Sequence, residues 1–569
     1  MMPFRVRSAP VVCAVLLMVA AIPASAAPAP IHYRIAARLD APRGVVSGRA
    51  AIAWWNGASA PRQLEICAAP GQQVVVDGGG RSRAVAPGAR VTLELQWTTT
   101  LSRSGEVGAV GDHWYPRAAV GGDARDAACL STAAGRTAPD DPADFEVSLA
   151  VPRGWLVAAT GREQTAPDAG AADTVHRFQQ RGVREFAWVT GPRYVERTRR
   201  IDAVPRAIDL RLLLQPEHAA QAERLLDAAV DALAQHGRWL SPYPDDHLTM
   251  VDTGWRDRTG DRSYPGLITF ATRWIVPSTT LAPEAAVVRG ISAQWWEGVV
   301  SVDPDEDSGL SDGVSDFFTA LIVEHLFDVR HQRLAYSTFG QAYFGGFIPW
   351  TWRDVRVSRE AAYRTRAARG WGTLERYLGA PTLQRALAAV VDRYQGQRIS
   401  GGEFFRVMGD AAGQDLRWFE SAVFARDSSF DYAIQSVTSG PDETCNAPRC
   451  FRTTAIIERR GDGQFTGTSE PPTGPYESGR ALLVSIGFAD GQRVVDSWDG
   501  RGRTKSMTFR SRAPAVSARV DPERVLLLDV AQTNNSWTST PRSAPAATRW
   551  SMTWALWLQD LLLSYASLV

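Results

Sequence analysis

The hydrophobic period of this sequence changes twice, and each change forbids one kind of element from running on into the next. From Ile31 to about Arg200, short runs such as "HYRIAARLD", "GRAAIAWWN", "RVTLELQW", "DFEVSLAVP" and "REFAWVTG" are alternating or apolar, with Gly, Pro and Asp between them. A period of two sends successive side chains to opposite faces, so these runs read as strands. "TAPDAGAAD" (165–173) reads as a loop among them. Near residue 215 the period becomes helical. "PEHAAQAERLLDAAVDALAQHGRWL" opens on Pro216 and puts Leu225, Leu226, Ala229, Val230 and Leu233 on one face, with Gly237 expected to stop it. Helical patterns continue through 283–300, 311–327, 381–395, 402–412 and 415–425. Strands return from Tyr432 in "YAIQSV", "FRTTAIIERR", "RALLVSIGFADG" and "RVLLLDVAQ", interrupted by the Pro- and Gly-rich "TGTSEPPTGPYESG".

The expected class is therefore α+β and multidomain. A β-rich domain spans 27–200, a mainly helical middle domain 201–435, a small β-sandwich-like domain 436–545, and an apolar helix 546–569. A length of 569 residues with 45% hydrophobic and 22% charged composition suits about three or four such units. The formal net charge of +1 gives no electrostatic reason for a nucleic-acid partner.

Residues 1–26 read as a secretory signal peptide. Arg5 and Arg7 precede an apolar run from Val11 to Ile22, and Ala24-Ser25-Ala26 supplies small residues for cleavage. An exported chain, periplasmic or secreted, is the expectation. Without Cys13 of the leader, Cys67, Cys129, Cys445 and Cys450 remain, an even number that suits two disulfides in an oxidising compartment. Cys445 and Cys450 bracket the turn-like "NAPR", which leaves Cys67 for Cys129; four buried thiols are the alternative.

A β domain, a helical domain and a second β domain in this order resemble the M1 aminopeptidase family of gluzincins, and five segments carry the likeness. "DHWYPRAAV" (112–120) is similar to that family's W-Y/F-P segment and "REFAWVTG" (184–191) to the end of its first domain. "SPYPDDHLTMVD" with "GDRSYPGLITF" (260–270) resembles the strand and loop before its zinc helix. "VVDRYQGQRISGGEFFRVMGDAAGQDLRWFESAVF" (390–424) is similar to its closing helices. The resemblance implies a thermolysin-like middle domain around a zinc site.

The zinc pattern of that family is H-E-x-x-H-Q-W, then, after eighteen intervening residues, a Glu-Gly pair. In "VVRGISAQWWEG" (287–298), Gln294 and Trp295 are kept, and the eighteen-residue spacing from Ala293 leads to Asp312-Gly313. The chemistry is not kept. Arg289 stands for the first His, Gly290 for the general-base Glu, Ala293 for the second His and Asp312 for the third ligand. Zinc takes about four N, O or S ligands. Arginine offers only donors and alanine offers nothing. The histidines His32, His113, His176, His218, His236, His247, His325 and His331 contain no i, i+4 pair to replace them.

The family also implies a Glu that holds the substrate's amino group, at the position of Ser263, and an oxyanion tyrosine, for which Tyr363 is the candidate; a helix-surface role for Tyr363 is the alternative. Arg289 is expected either to take over the metal's positive charge by pairing with Asp312 or to extend into solvent. Trp295 and Trp296 are expected to border the cleft. The tail "SMTWALWLQDLLLSYASLV" (551–569) is expected to be a helix docked on the protein, with a weak interfacial membrane contact as the alternative.

Three functional readings follow. The first is an exported M1-like pseudopeptidase without cofactor that binds an unidentified peptide or protein. The second is an active zinc-dependent aminopeptidase. Metal-free hydrolysis through Ser263 or Ser292 is a third, with no G-x-S-x-G elbow to support it.

Overall fold

The computed structural model describes residues 30–540, together with several positions between 547 and 558. Excepted are residues 70 and 112 and the stretches 102–108, 122–141, 165–167, 170–171, 203–205, 254–260, 273–281, 303–309, 327–358, 425–427, 445–449 and 468–481. The signal segment, Cys129, Cys445 and His331 lie outside the described residues.

The chain is mixed α/β, with strands dominating its N-terminal region. Ile31–Asp40 alternates strictly between buried and exposed positions, because one sheet face covers a core and the other meets solvent. It pairs antiparallel with Val45–Trp55 and parallel with Ala143–Pro152, at the centre of an eight-stranded sheet. Residues 113–120 of the "DHWYPRAAV" segment pack against that sheet, with Tyr115 on Tyr33 and the Ala118 N–H on the Tyr33 hydroxyl. Trp114 is wholly buried, accepts the Trp97 indole N–H on its carbonyl at 2.8 Å, and donates its own to the Phe186 carbonyl at 2.8 Å. Of "REFAWVTG", only Trp188–Gly191 is strand.

The middle region holds a five-stranded sheet in the order Val195–Ile201, Ile208–Leu214, His247–Asp252, Leu267–Phe270, Arg262–Tyr264. Helix Ala282–Ala293 packs on it, and we call this the core helix. Helix Leu310–Leu326, the facing helix, crosses the core helix and in turn meets helix Arg359–Leu378. The last contact depends on Gly313, where an added Cβ would lie 2.4 Å from Cβ of Ala367. Tyr363 falls within Arg359–Leu378, but its side chain lies outside the described residues.

Two antiparallel sheets follow. One orders Tyr432–Pro441, Phe451–Arg459 and Thr504–Ser511; the other orders Arg493–Trp498, Leu482–Phe488, Ala515–Val520 and Ser536–Thr538. Their buried residues join the helical region in one continuous hydrophobic cluster, while the N-terminal sheet has its own.

Three expectations need correction. Gly237 does not stop its helix, which runs Ala222–Trp239 after a 3-10 segment, Pro216–Gln221; nothing crowds the glycine, and the buried leucine face carries the helix through it. "RVLLLDVAQ" is not a strand. The Asp521 carboxylate accepts the N–H groups of Val525 and Leu526 at 2.9 and 2.8 Å, which curls the chain, and Leu526 is buried from that turn. Trp295 and Trp296 do not border a cleft: they are 0% and 1% exposed. Of the tail, Met552, Trp554 and Leu558 are exposed, while Trp550, Trp557, Leu561 and Tyr565, on which the expected docking rests, lie outside the described residues. Among the described residues, no helix is long and apolar enough to cross a membrane.

The two helical glycines give a paired test. Gly313→Ala should lower stability in urea by about 1–3 kcal/mol through overpacking against Ala367. Gly237→Ala, with open space around it, should raise stability by about 0.5–1 kcal/mol. Equal effects at the two positions would contradict the packing described.

Candidate functional site

The core helix presents Arg289 to the facing helix. Its Nη2 donates to Asp312 Oδ1 at 2.6 Å and its Nε to Asp316 Oδ1 at 2.8 Å. Arg289 is 7% exposed and Asp316 3%, while the Asp312 side chain keeps 28%. One guanidinium fork thus spans two carboxylates a helical turn apart. The expected Arg289–Asp312 contact is present, and the arginine does not extend into solvent. Asp316 was missed by the sequence reading, although its place four residues after Asp312 puts both on one helix face.

Gly290 faces the sheet. A Cβ there would meet Ile268 Cδ1 at 3.0 Å and Ile268 Cβ at 3.1 Å, so the position expected for a general base is filled by strand Leu267–Phe270. Ala293 is wholly buried. Beyond it the helix widens into a π-helical turn, Gln294–Val299, which ends with the Val300 N–H on the Trp295 carbonyl at 2.8 Å. Such turns are frequent at functional sites. Here the turn swings Trp295 and Trp296 into the core against His236, Phe318 and Phe404.

Gln294 ties the helix to the hairpin that carries Ser263. Its Oε1 accepts from the Gly266 N–H at 3.0 Å and the Tyr243 hydroxyl at 3.1 Å. Its Nε2 donates to Ser263 Oγ at 2.6 Å and the Tyr264 carbonyl at 2.8 Å. Both donors and both acceptor directions of the amide are engaged. Ser263 in turn donates to the Gly290 carbonyl at 3.2 Å, and wholly buried Ser292 donates to the Val288 carbonyl at 2.9 Å. Each hydroxyl proton is committed to main chain, an arrangement that does not make a nucleophile.

The histidines are dispersed. His236 is fully buried, stacks on Trp295 at 4.7 Å and donates Nδ1–H to the Ala232 carbonyl at 2.9 Å. Burial pushes its pKa down to about 4, with that hydrogen bond opposing the shift. His218 pairs with wholly buried Asp252, which also accepts the Gln215 and Thr272 N–H groups. His176 meets Glu163 at 2.8 Å, and His325 lies exposed beside Trp239. Among the described residues, no three His, Cys, Asp or Glu converge as a metal site.

A divalent ion does not fit at the expected zinc position. Arg289, expected in place of the first ligand, is a cation engaged with Asp312, expected as the third, and Ala293, expected as the second, has no donor atom. Cys67 and Cys450 are disulfide-bonded; with Cys129 and Cys445 outside the described residues, the pairing stays an expectation. No protein-family model matches this chain, and no curated protein matches it significantly.

His236 sets a pH dependence. Its folded pKa lies below the ordinary 6.5, so the unfolded chain takes up the proton first as pH falls. Stability should be full above about 6.5 and decline by about 3 kcal/mol as pH falls to 4. Urea midpoints across that window should lose this slope in His236→Phe; an unchanged slope would assign it to other groups.

Proposed function

We propose that this chain is an exported protein built on the M1 aminopeptidase pattern, with an ion-paired clasp at the catalytic position, and that it binds a peptide or protein partner without hydrolysing it. In this reading 27–200 is the N-terminal β domain, 201–435 the thermolysin-like domain and 436–545 a sandwich-like domain. One observation carries it: Arg289 bonded at once to Asp312 and Asp316.

The chemistry supports it. Peptide hydrolysis by this pattern needs a metal to lower the pKa of a bound water and a carboxylate to take its proton. Arg289 would repel the metal, Ala293 cannot ligate it, and Gly290 has no group to accept a proton. The amine-holding carboxylate is replaced by Ser263, whose hydroxyl is already bonded to Gly290 and Gln294. A hydrolase-like frame does not by itself carry hydrolase activity. Export agrees with the leader-like residues 1–26 and with disulfide-bonded Cys67 and Cys450. An interfacial membrane contact through the exposed tail residues Met552, Trp554 and Leu558 belongs to the same proposal.

Metal analysis of protein purified with zinc supplied, paired with aminoacyl-arylamide hydrolysis, tests the reading. Zinc should be far below one per chain and hydrolysis at the uncatalysed rate with or without chelator. Stoichiometric zinc with chelator-sensitive turnover would establish the active aminopeptidase instead.

A further inference from the structure

Where the N-terminal sheet meets the helical region lies a cavity of about 390 Å³. That is within the size range of small-ligand sites, about 300–1,000 Å³. Two cross-seam hydrogen bonds brace its walls: Arg184 Nη2 to the Gly396 carbonyl at 3.3 Å, and Gln180 Nε2 to Asp245 Oδ1 at 3.2 Å. Ser263 and Gln294 line the cavity, and the two are bonded to each other at 2.6 Å.

The two walls differ in charge. The N-terminal wall contributes Arg117, Arg181 and Arg184 with Glu185; the helical wall contributes Asp245 and Glu297. Glu185 lies 3.5 Å from His113, and Asp245 is the acceptor of the Gln180 bond. Arg117 is 9% exposed and gives Nη2 to the Arg184 carbonyl at 3.3 Å. Arg181 is exposed on the bulge between Gln180 and Val183 and, among the described residues, has no ion-pair partner. Beside it the rim is bare main chain at Gly182 and Gly396, both with positive φ, and at Gly298, where nothing lies within 4 Å of an added Cβ. An extended backbone can approach such a rim closely.

We infer that this seam cavity receives the free α-carboxylate of a peptide's C-terminus, held by Arg181 at its entrance. The inference rests on the binding role proposed above and names the ligand's chemistry. Guanidinium forks match a carboxylate's two oxygens. A phosphate monoester, with about −1.5 to −2 charge, would meet Glu185, Asp245 and Glu297 in the same small volume. A monoanion meets less repulsion.

The test uses the full mature protein and calorimetric titration with three probes: N-acetyl-trialanine, trialanine amide and inorganic phosphate. N-acetyl-trialanine should bind, and both other probes should bind at least about tenfold more weakly. Arg181→Glu, an exposed change that leaves the fold intact, should weaken N-acetyl-trialanine by about tenfold or more, and Arg181→Lys by less. No binding of N-acetyl-trialanine, equal binding of the amide, tighter binding of phosphate, or indifference to Arg181→Glu would each overturn the inference. Any of these results leaves the non-catalytic reading standing. Stoichiometric zinc with turnover would remove that reading whatever the cavity binds.

Discussion

The middle of this molecule is organised by one buried arginine and two aspartates. A guanidinium that is 7% exposed cannot be left without counter-charge, because desolvation of a lone ion costs several kcal/mol. Asp312 and Asp316 supply that charge from a neighbouring helix, so the core helix and the facing helix are held by a contact with fixed polarity and register. A metal clamp at the same junction would join the same helices through a divalent ion. The arginine clasp needs no ion, and it leaves no open coordination position at which a water could be activated.

The surrounding packing is consistent with a filled centre. Gly290 lets the core helix lie on Ile268, and Gly313 lets the facing helix lie on Ala367, so both flanks of the clasp are in van der Waals contact. Below it the π-helical turn drives two tryptophans into a ring of His236, Phe318 and Phe404, and Gln294 locks the adjoining hairpin. What could have been a cleft floor is core. A polar cavity lies at the seam with the N-terminal sheet, where arginine side chains and bare glycine backbone line it together.

Much of this was legible in the sequence where local physics decides. Strict alternation in "HYRIAARLD" gave a half-buried strand, and the leucine pattern after Pro216 gave a helix. The contact between Arg289 and Asp312 was expected from the spacing that resembles the M1 pattern. The rest depended on tertiary detail. Gly237 reads as a stop, yet helix burial outweighs a cost of about 1 kcal/mol. "RVLLLDVAQ" reads as a strand because hydrophobicity is visible and the capping by Asp521 is not. Trp295 and Trp296 sit next to the altered positions in sequence, but a π-helical turn redirects them, and nothing in the letters announces it. Asp316 was within reach of i, i+4 reasoning on Asp312. The seam cavity was not, since Arg117, Arg181 and Glu297 come together only after folding.

The central claim, that Arg289 stands in for a cation by pairing across two helices, is met most directly by a double-mutant cycle between Arg289→Met and Asp316→Leu in urea denaturation. Arg289→Met strands the buried Asp316 carboxylate and should cost about 3–5 kcal/mol, Asp316→Leu leaves Arg289 with Asp312 alone and should cost less, and the double change should cost much less than the sum. Strictly additive losses, or a negligible loss from Arg289→Met alone, would show that the two groups are uncoupled and that this clasp does not hold the helices together.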